Sequence, residues 1–207
     1  ENVRGMLYAN RWYLDEIVGK LEGFGYDVEF RLLSAVNHGV PQKRERLIVV
    51  GHQGGFSFPK PGSKIWTAGE ALDDMLFHTP PESKFLTESM DRYVANYEAA
   101  SSCARPRDLH LDRPARTLTC RNLAGATGDM QRIKLPDGRR RRLLIREAAR
   151  LQSFPDHFQF FGSEGSVFKQ IGNAVPPMFA HALAKSVKRY LETESRALSN
   201  VSLAKAS

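Results

Sequence analysis

The sequence predicts an α/β fold: the end of an open, mixed sheet, then a small α+β segment, then a closing helix. Three observations carry that prediction. A helical pattern is followed by two strand patterns between Trp12 and Val50. A stretch punctuated by proline and glycine runs from Gly51 to about Arg142. Two helix signals then close the chain between Arg141 and Pro177.

The first element begins at Trp12, after which Leu14, Ile17, Val18, Leu21 and Phe24 recur at helical spacing and share one face. Gly25 is placed to end it. From Tyr26 to Leu33, Val28, Phe30 and Leu32 alternate with polar residues, which is a strand pattern; Arg46 to Val50 reads as a second strand and stops at Gly51. Asn37-His38-Gly39-Val40-Pro41 makes the turn between them. A helix followed by two strands joined this way suits the far half of a mixed sheet. Gln42, Arg44 and Arg46 sit where the loop enters the second strand, two residues apart, so they project together. Charge that protects an edge strand is the plain structural reading of them.

Beyond Gly51, Pro59 and Pro61 mark a linker, and Ile65 to Met75 and Glu88 to Ala99 read as short helices separated by Pro80-Pro81. After Arg105-Pro106, Thr117-Leu118-Thr119 reads as a short strand. Asn122 to Gly128 reads as a loop whose glycines let the backbone approach another molecule. Gln131 to Leu135 is a second strand, closed by the turn signal Pro136-Asp137-Gly138. Arg121, Asn122, Gln131 and Arg132 carry side chains able to bond base edges, Arg with guanine and Asn or Gln with adenine.

In the closing stretch, Arg146, Glu147 and Arg150 share a short helix with Ala148, Ala149 and Leu151, and Phe154-Pro155 stops it. Phe158, Phe160 and Phe161 are expected to cluster in the core. Gln170, Gly172 and Asn173 read as a tight polar turn before Pro176-Pro177, a helix start with proline in the first turn. Such a turn either caps the helix or receives a small polar ligand on its outward N–H groups. Phe179, Leu183, Ser186, Val187 and Tyr190 line one face of the last helix, and Ser195 to Ser207 reads as a polar tail.

At 207 residues and 42% hydrophobic, the chain can bury a core for one domain or two small ones. It holds no apolar run of membrane-spanning length and no charged-then-apolar leader, so neither a membrane anchor nor a secretory signal is expected. Cys103 and Cys120 form no C-x-x-C pair, which fits an intracellular protein; no metal site is read. The net charge of +7 favours a polyanionic partner. Arg139, Arg140, Arg141 and Arg142 run together with Arg146 and Arg150 close behind; they are either a solvated surface or phosphate contacts.

The stretch R-E-A-A-R-L-Q-S-F-P from Arg146, followed by Q-I-G-N-A-V-P from Gln170, closely resembles the last two conserved blocks of the DNA (cytosine-5) methyltransferases. Gln42-Lys43-Arg44-Glu45-Arg46 resembles that family's Q-x-R-x-R block, and Glu1-Asn2-Val3 its E-N-V block. The four blocks stand in the family's order and span nearly the whole chain. The resemblance implies the C-terminal part of a Rossmann-like, S-adenosylmethionine-dependent methyltransferase sheet with a small α+β target-recognition domain. Residues 1–52 would end the catalytic domain, 53–142 form the recognition domain, 143–162 connect, 163–194 supply the cofactor-pocket turn and closing helix, and 195–207 form a flexible tail.

The resemblance also implies roles. C5 of cytosine is a poor nucleophile until a cysteine adds to C6, and a carboxyl group of raised pKa at N3 stabilises the electron-rich ring. That carboxyl would be Glu1. Arg46 would hold the cytosine O2 and Arg44 neighbouring backbone or phosphate; Asn173, Ala174 and Val175 would line the S-adenosylmethionine pocket. Double-stranded DNA would meet Gln42, the Thr117-Leu118 dipeptide, Arg121, Asn122, Gln131, Arg132, Arg141 and Arg146.

Two family blocks have no counterpart. The catalytic cysteine belongs to a P-C-Q block, which neither Thr119-Cys120-Arg121 nor Ser102-Cys103-Ala104 resembles, and the F-x-G-x-G block of the cofactor-binding half is also absent. The expectation is therefore a part of a DNA cytosine-C5 methyltransferase of the bacterial cytoplasm or nucleoid, inactive alone. Its partner would be the missing N-terminal catalytic region, or a separate subunit, that carries the nucleophile. The competing expectation is a non-catalytic DNA-binding module or regulatory subunit derived from such an enzyme. Within the best-matched block, Leu144 stands where the family commonly has a capping threonine.

Overall fold

The computed structural model describes residues 1–100, 107–124 and 128–204, with side chains described to residue 193. Helix α1 (Arg11–Gly23) buries Leu14 and packs Ile17 and Val18 against Met6 and Leu47. Phe24, expected on that face, is the C-cap residue and is 78% exposed. Strands β1 (Asp27–Ser34) and β2 (Glu45–His52) pair antiparallel, from Asp27 opposite His52 to Ser34 opposite Glu45. The expected turn is a 3-10 turn, Ala35–His38, closed by Gly39 at φ 82, where glycine avoids the Cβ penalty.

Helix α7 (Pro177–Ala204) lays Phe179 into a core with Leu33, Ala35, Val40, Ile48, Phe56 and Phe58, so the end of the chain covers one face of the β1–β2 pair. Its start at Pro177 agrees with the two-proline signal. Val187, expected on the inward face, is exposed, and the segment expected as a tail is helical as far as Ala204.

The largest core joins α2 (Ala68–Leu72), α5 (Ile145–Leu151) and α6 (Glu164–Asn173) to the segment around Leu118 and Leu123. Helix α2 is opened by a capping box between Thr67 and Glu70 and is followed by the 3-10 turn Asp73–Met75. Helix α3 (Glu88–Ala100) lies near the hairpin of β3 (Arg132–Lys134) and β4 (Arg140–Arg142), to which Arg140 ties it by donating to Asp91. Cys103, and residues 125–127 of the expected glycine loop, lie outside the described residues. Among those described, no helix is long and apolar enough to cross a membrane.

Three local expectations are corrected. Thr117-Leu118-Thr119 is not a strand: the Leu118 N–H donates to the Gln42 side chain and its carbonyl accepts from Arg44, so side chains replace a ladder partner. Thr119 then caps α4 (Cys120–Ala124), its Oγ1 accepting from the Asn122 N–H at 3.2 Å, where a loop was expected. Gln170, Gly172 and Asn173 are likewise not a turn but the last turn of α6, which Ser163 opens by accepting from the Ser166 N–H. The helix signal was present in Val167, Phe168 and Ile171, all buried at helical spacing.

Gly172 is required by packing. A Cβ there would stand 2.5 Å from the Cys120 nitrogen and 2.7 Å from the Thr119 carbonyl carbon, both backbone atoms. Gly172→Ala gains about 1 kcal/mol of helix propensity but forces α6 away from α4, so a net loss of about 1–3 kcal/mol is expected in urea denaturation. A stabilised variant would contradict the close approach of the two helices.

At α5, Leu144 occupies the N-cap position with extended backbone, and only the reciprocal half of a capping box is made: its N–H donates to Glu147 Oε2 at 2.8 Å. Leu144→Thr adds the missing acceptor and is expected to stabilise by about 1 kcal/mol. That corresponds to a rise in melting temperature of roughly 2–4 °C for a chain of this size.

The aromatic cluster forms from Phe154, Phe158 and Phe160, with centroids about 5 Å apart. Phe161 stands outside it and is 78% exposed, and Phe158 is half-exposed, so the cluster sits at the rim of the core.

Candidate active site

Where the chain enters β2, side chains two apart do project together, yet they do different work. Gln42 is wholly buried. Its Nε2 donates to the Leu151 carbonyl at 3.2 Å and to Gln152 Oε1, while its Oε1 accepts from the Leu118 N–H at 2.8 Å. Arg44 is buried too, and its guanidinium donates to the carbonyls of Leu118 (2.9 Å), Gly172 (3.2 Å) and Ala174 (3.1 Å). Gln152 completes the knot by donating to the Ile171 and Ala174 carbonyls, both at 2.9 Å. Burial, and next the positive charge of Arg46, push Arg44 down to about 10, with Glu1 opposing; the group stays cationic at neutral pH.

This network corrects two expectations. Gln42 and Arg44 do not face DNA or a substrate, because both side chains are buried and bond within the fold. They fasten the segment holding Thr117-Leu118 to the end of α6 and the connection after it. Gln152, which the sequence reading passed over, is the third member. Its signal was a glutamine continuing the buried face of α5 past Ala148, Ala149 and Leu151.

Arg46 is the exception. Its guanidinium Nε lies 2.5 Å from Glu1 Oε1, and both side chains keep partial access to solvent. Asn2 holds this end in place, its backbone paired with that of Leu47. Beside the pair opens a cavity of about 620 Å³ lined by Val3, Ser34, Val36, Lys43, Arg46 and Thr117, among others. The Thr117 hydroxyl donates to the Lys43 carbonyl, which fixes the far wall. Arg46 lines this cavity and Glu1 is bonded to it; an acid and a guanidinium so paired can grip an amide-like ring edge, the acid at a ring nitrogen and the arginine at a carbonyl oxygen.

Asn173, Ala174 and Val175 follow one another at the end of α6. The Ala174 carbonyl is turned inward and pinned by Arg44 and Gln152, while Asn173 and Val175 are exposed on either side of it. A fixed backbone that offers an amide and an apolar side chain to the outside fits one wall of a pocket for a polar, part-apolar ligand.

Most of the expected DNA contacts lie inside. Leu118, Asn122, Gln131, Arg132 and Arg141 are buried. Asn122 donates to the Thr117 carbonyl and accepts from the Thr119 N–H; Gln131 donates to the Arg116 carbonyl. Arg132 reaches Asp108 and Glu98, and Arg141 meets Glu147 through both nitrogens. Their side chains cannot reach a base edge without giving up these partners, which costs the full desolvation of each group. Arg146 braces the Phe158 carbonyl at 3.0 Å from a half-exposed position. Arg121, on α4, is exposed, and Thr117 faces the cavity.

The accessible charge lies elsewhere. A second groove of about 340 Å³ is lined by Lys43, Arg107, His110, Arg113 and Arg116, with Asp108 as its acid. It shares Lys43 with the first cavity; its arginines are ion-paired at their outer ends, Arg107 and Arg116 with Asp129 and Arg113 with Asp112. The run D-R-P-A-R from Asp112 held that signal.

Comparison with known proteins gives the family. The model of the family described as C-5 cytosine-specific DNA methylase matches residues 1–189. The Type II methyltransferase M.AplI of Arthrospira platensis is 59% identical over 196 residues, which is 94% of this chain and 57% of that protein. M.MthTI of Methanothermobacter thermautotrophicus is 32% identical over 218 residues, covering 93% of this chain and 66% of that one. Among solved structures, the Dnmt2 methyltransferase of S. pombe has the same mixed α/β fold, with a TM-score of 0.67 at 14% identity over 90% of this chain and 64% of that chain. The chain thus spans about three fifths of the length of the relatives it matches.

Proposed function

Because the chain belongs to the C-5 cytosine-specific DNA methylase family, we propose that it is the base-holding part of a DNA cytosine-5-methyltransferase. The observation that carries this reading is the Glu1–Arg46 pair, whose arginine lines an open cavity. A cytosine swung out of the duplex would separate the two groups, its N3 and amino group meeting Glu1 and its O2 meeting Arg46. As a cysteine thiolate forms a bond to C6, Glu1 gives a proton to N3 and Arg46 balances the charge growing on O2. C5 then takes a methyl group, and loss of the C5 proton with expulsion of the thiolate, together with return of the N3 proton to the Glu1 carboxylate, restores the base. S-adenosylmethionine, when bound, supplies that methyl group. On this chain Asn173 and Val175 would hold it, on a turn kept rigid by Arg44 and Gln152.

The groove with Lys43, Arg113 and Arg116 supports duplex DNA as the substrate, since its cations can meet phosphates. Cys120 is not suited to be the nucleophile. Its backbone is packed on Gly172, and it does not line the cavity beside Arg46. The thiolate and the rest of the cofactor pocket would come from polypeptide bearing the P-C-Q and F-x-G-x-G blocks.

The test is transfer of labelled methyl groups to duplex DNA, by the chain alone and mixed with the remaining part of the Arthrospira platensis relative. Transfer only in the mixture is expected. Transfer by the chain alone would overturn the placement of the nucleophile elsewhere. No transfer by a mixture that associates and binds DNA would favour a binding module without chemistry.

A further inference from the structure

We infer that the groove between α7 and residues 55–60 is a binding site for phosphate groups, separate from the cavity beside Arg46. The local sequence builds it. After β2, Gly54 (φ 95) and Gly55 (φ 75) take the left-handed conformation that glycine adopts freely, and they carry the chain round to α7. In the run F-S-F-P-K from Phe56, both phenylalanines are buried in the core under α7, so Ser57 between them and Lys60 beyond them are exposed. On the helix, Lys185, Lys188, Arg189 and Glu192 stand three and four residues apart and share one side.

Two hollows meet at Arg189. One of about 530 Å³ is lined by Lys60, Lys185, Lys188 and Arg189, with Glu192 as its acid. The other, of about 210 Å³, is lined by Gly55, Ser57, Ser186, Arg189, Tyr190 and Thr193. The guanidinium is held in place, its Nε donating to the Lys185 carbonyl at 3.4 Å and its Nη2 to the Oγ of the buried Ser186 at 3.1 Å. Nη1 keeps its donors. Tyr190 accepts at its hydroxyl from the Gln53 N–H at 2.9 Å, which leaves its own proton to give. With the Ser57 hydroxyl beside them, these groups are donors around a fixed positive charge, the complement of a phosphate oxygen, which only accepts.

The charge here is uncompensated. Among the described residues, Lys60, Lys185 and Arg189 meet no carboxylate, and Lys188 reaches Glu192 only at 3.8 Å. Arg107, Arg113 and Arg116, by contrast, each have one. Part of the net charge of +7 is thus concentrated on this side of α7, where it attracts anions. The apolar residues that α7 leaves exposed lie elsewhere. Ala184, Val187 and Leu191 stand roughly a third of a turn away, so polypeptide packed on them leaves the cations open. No residue of the groove lines the cavity beside Arg46 or the groove of Arg113 and Arg116.

Phosphodiesters of duplex DNA and free oligophosphates share this chemistry, and the experiment separates them. The full chain is acetylated at constant ionic strength alone, with pyrophosphate, and with a duplex of A·T pairs only, and each lysine is read by mass spectrometry. Bound probe is expected to slow Lys60 and Lys185 severalfold and to leave Lys20, on α1, unchanged. Arg189→Gln is expected to remove that protection, with its fold checked by melting temperature and Lys185→Gln as a second variant. For a duplex, the slope of log affinity against log salt should fall by about 2 in Lys185→Gln/Arg189→Gln, roughly 0.9 for each lost phosphate contact. Arg11→Gln/Lys20→Gln, which removes the same charge from α1, should keep the slope. Protection by pyrophosphate alone, with the slope unchanged, would assign the site to a free phosphate compound. No protection by either probe, or protection that survives in both Arg189→Gln and Lys185→Gln, would overturn the proposal.

Discussion

Replacing Glu147 with alanine is expected to cost about 3–5 kcal/mol of stability, the largest loss from a single change in this chain. Arg141 and Glu147 are both fully buried and meet through two bonds, Nη1 to Oε2 at 2.8 Å and Nη2 to Oε1 at 2.6 Å. Glu147 Oε2 also accepts from the Leu144 N–H at the start of α5. Removing the carboxylate leaves a guanidinium in the core with neither water nor a counter-charge, and Arg141 already has a buried Nε without a partner. The pair also joins β4 to α5, so its loss would loosen the β3–β4 hairpin from the central core. Urea denaturation measures the effect. The double variant Arg141→Met/Glu147→Leu should recover most of the loss, because apolar replacement of a whole buried pair is often neutral or better. A loss below 1 kcal/mol in Glu147→Ala would show that the pair is hydrated in solution.

Arg46→Ala is expected to lower methyl transfer by about a hundredfold to a thousandfold, some 2.7–4 kcal/mol of transition-state stabilisation, in the mixture with the remaining part of the Arthrospira platensis relative. Its melting temperature should change little, since the Arg46–Glu1 pair lies at the rim of a cavity and such pairs contribute at most about 1 kcal/mol. Arg44→Met should behave in the opposite way. It strips the donors from the Leu118, Gly172 and Ala174 carbonyls, and so should lower the melting temperature as well as activity. Single-turnover rates measured beside thermal melts separate the two. If Arg46→Ala loses stability and activity together, the distinction drawn between the two arginines is wrong.

That distinction marks the limit of what the sequence could reveal. The helix before β1, the two strands and the proline-led start of α7 were legible because apolar periodicity and turn residues are local signals. The family blocks were legible as strings. What a string does not carry is which side chains are turned inward. Gln42, Arg44 and Arg46 share spacing and polarity, yet the first two close gaps between distant backbone carbonyls and only the third reaches a cavity. Arg132 read as a base contact and Arg141 as part of a surface or phosphate-binding run, but Asp108 and Glu98 draw the first inward and Glu147, on the next helix, the second. The Thr117-Leu118-Thr119 stretch favoured a strand by composition, but it forms none because side chains of Gln42 and Arg44 take its backbone groups. Gly172 looked like a turn residue, whereas it sits in a helix so that another backbone can come within contact distance.

The measurement that bears most directly on the account is a crystal structure of the chain, together with a polypeptide bearing the P-C-Q and F-x-G-x-G blocks, on a duplex containing the unmethylated target sequence. The expected result is one cytosine outside the base stack, its O2 about 3 Å from the Arg46 guanidinium and its N3 facing the Glu1 carboxyl. A target base still stacked in the duplex, with Arg46 resting on a phosphate and Glu1 turned to solvent, would contradict it.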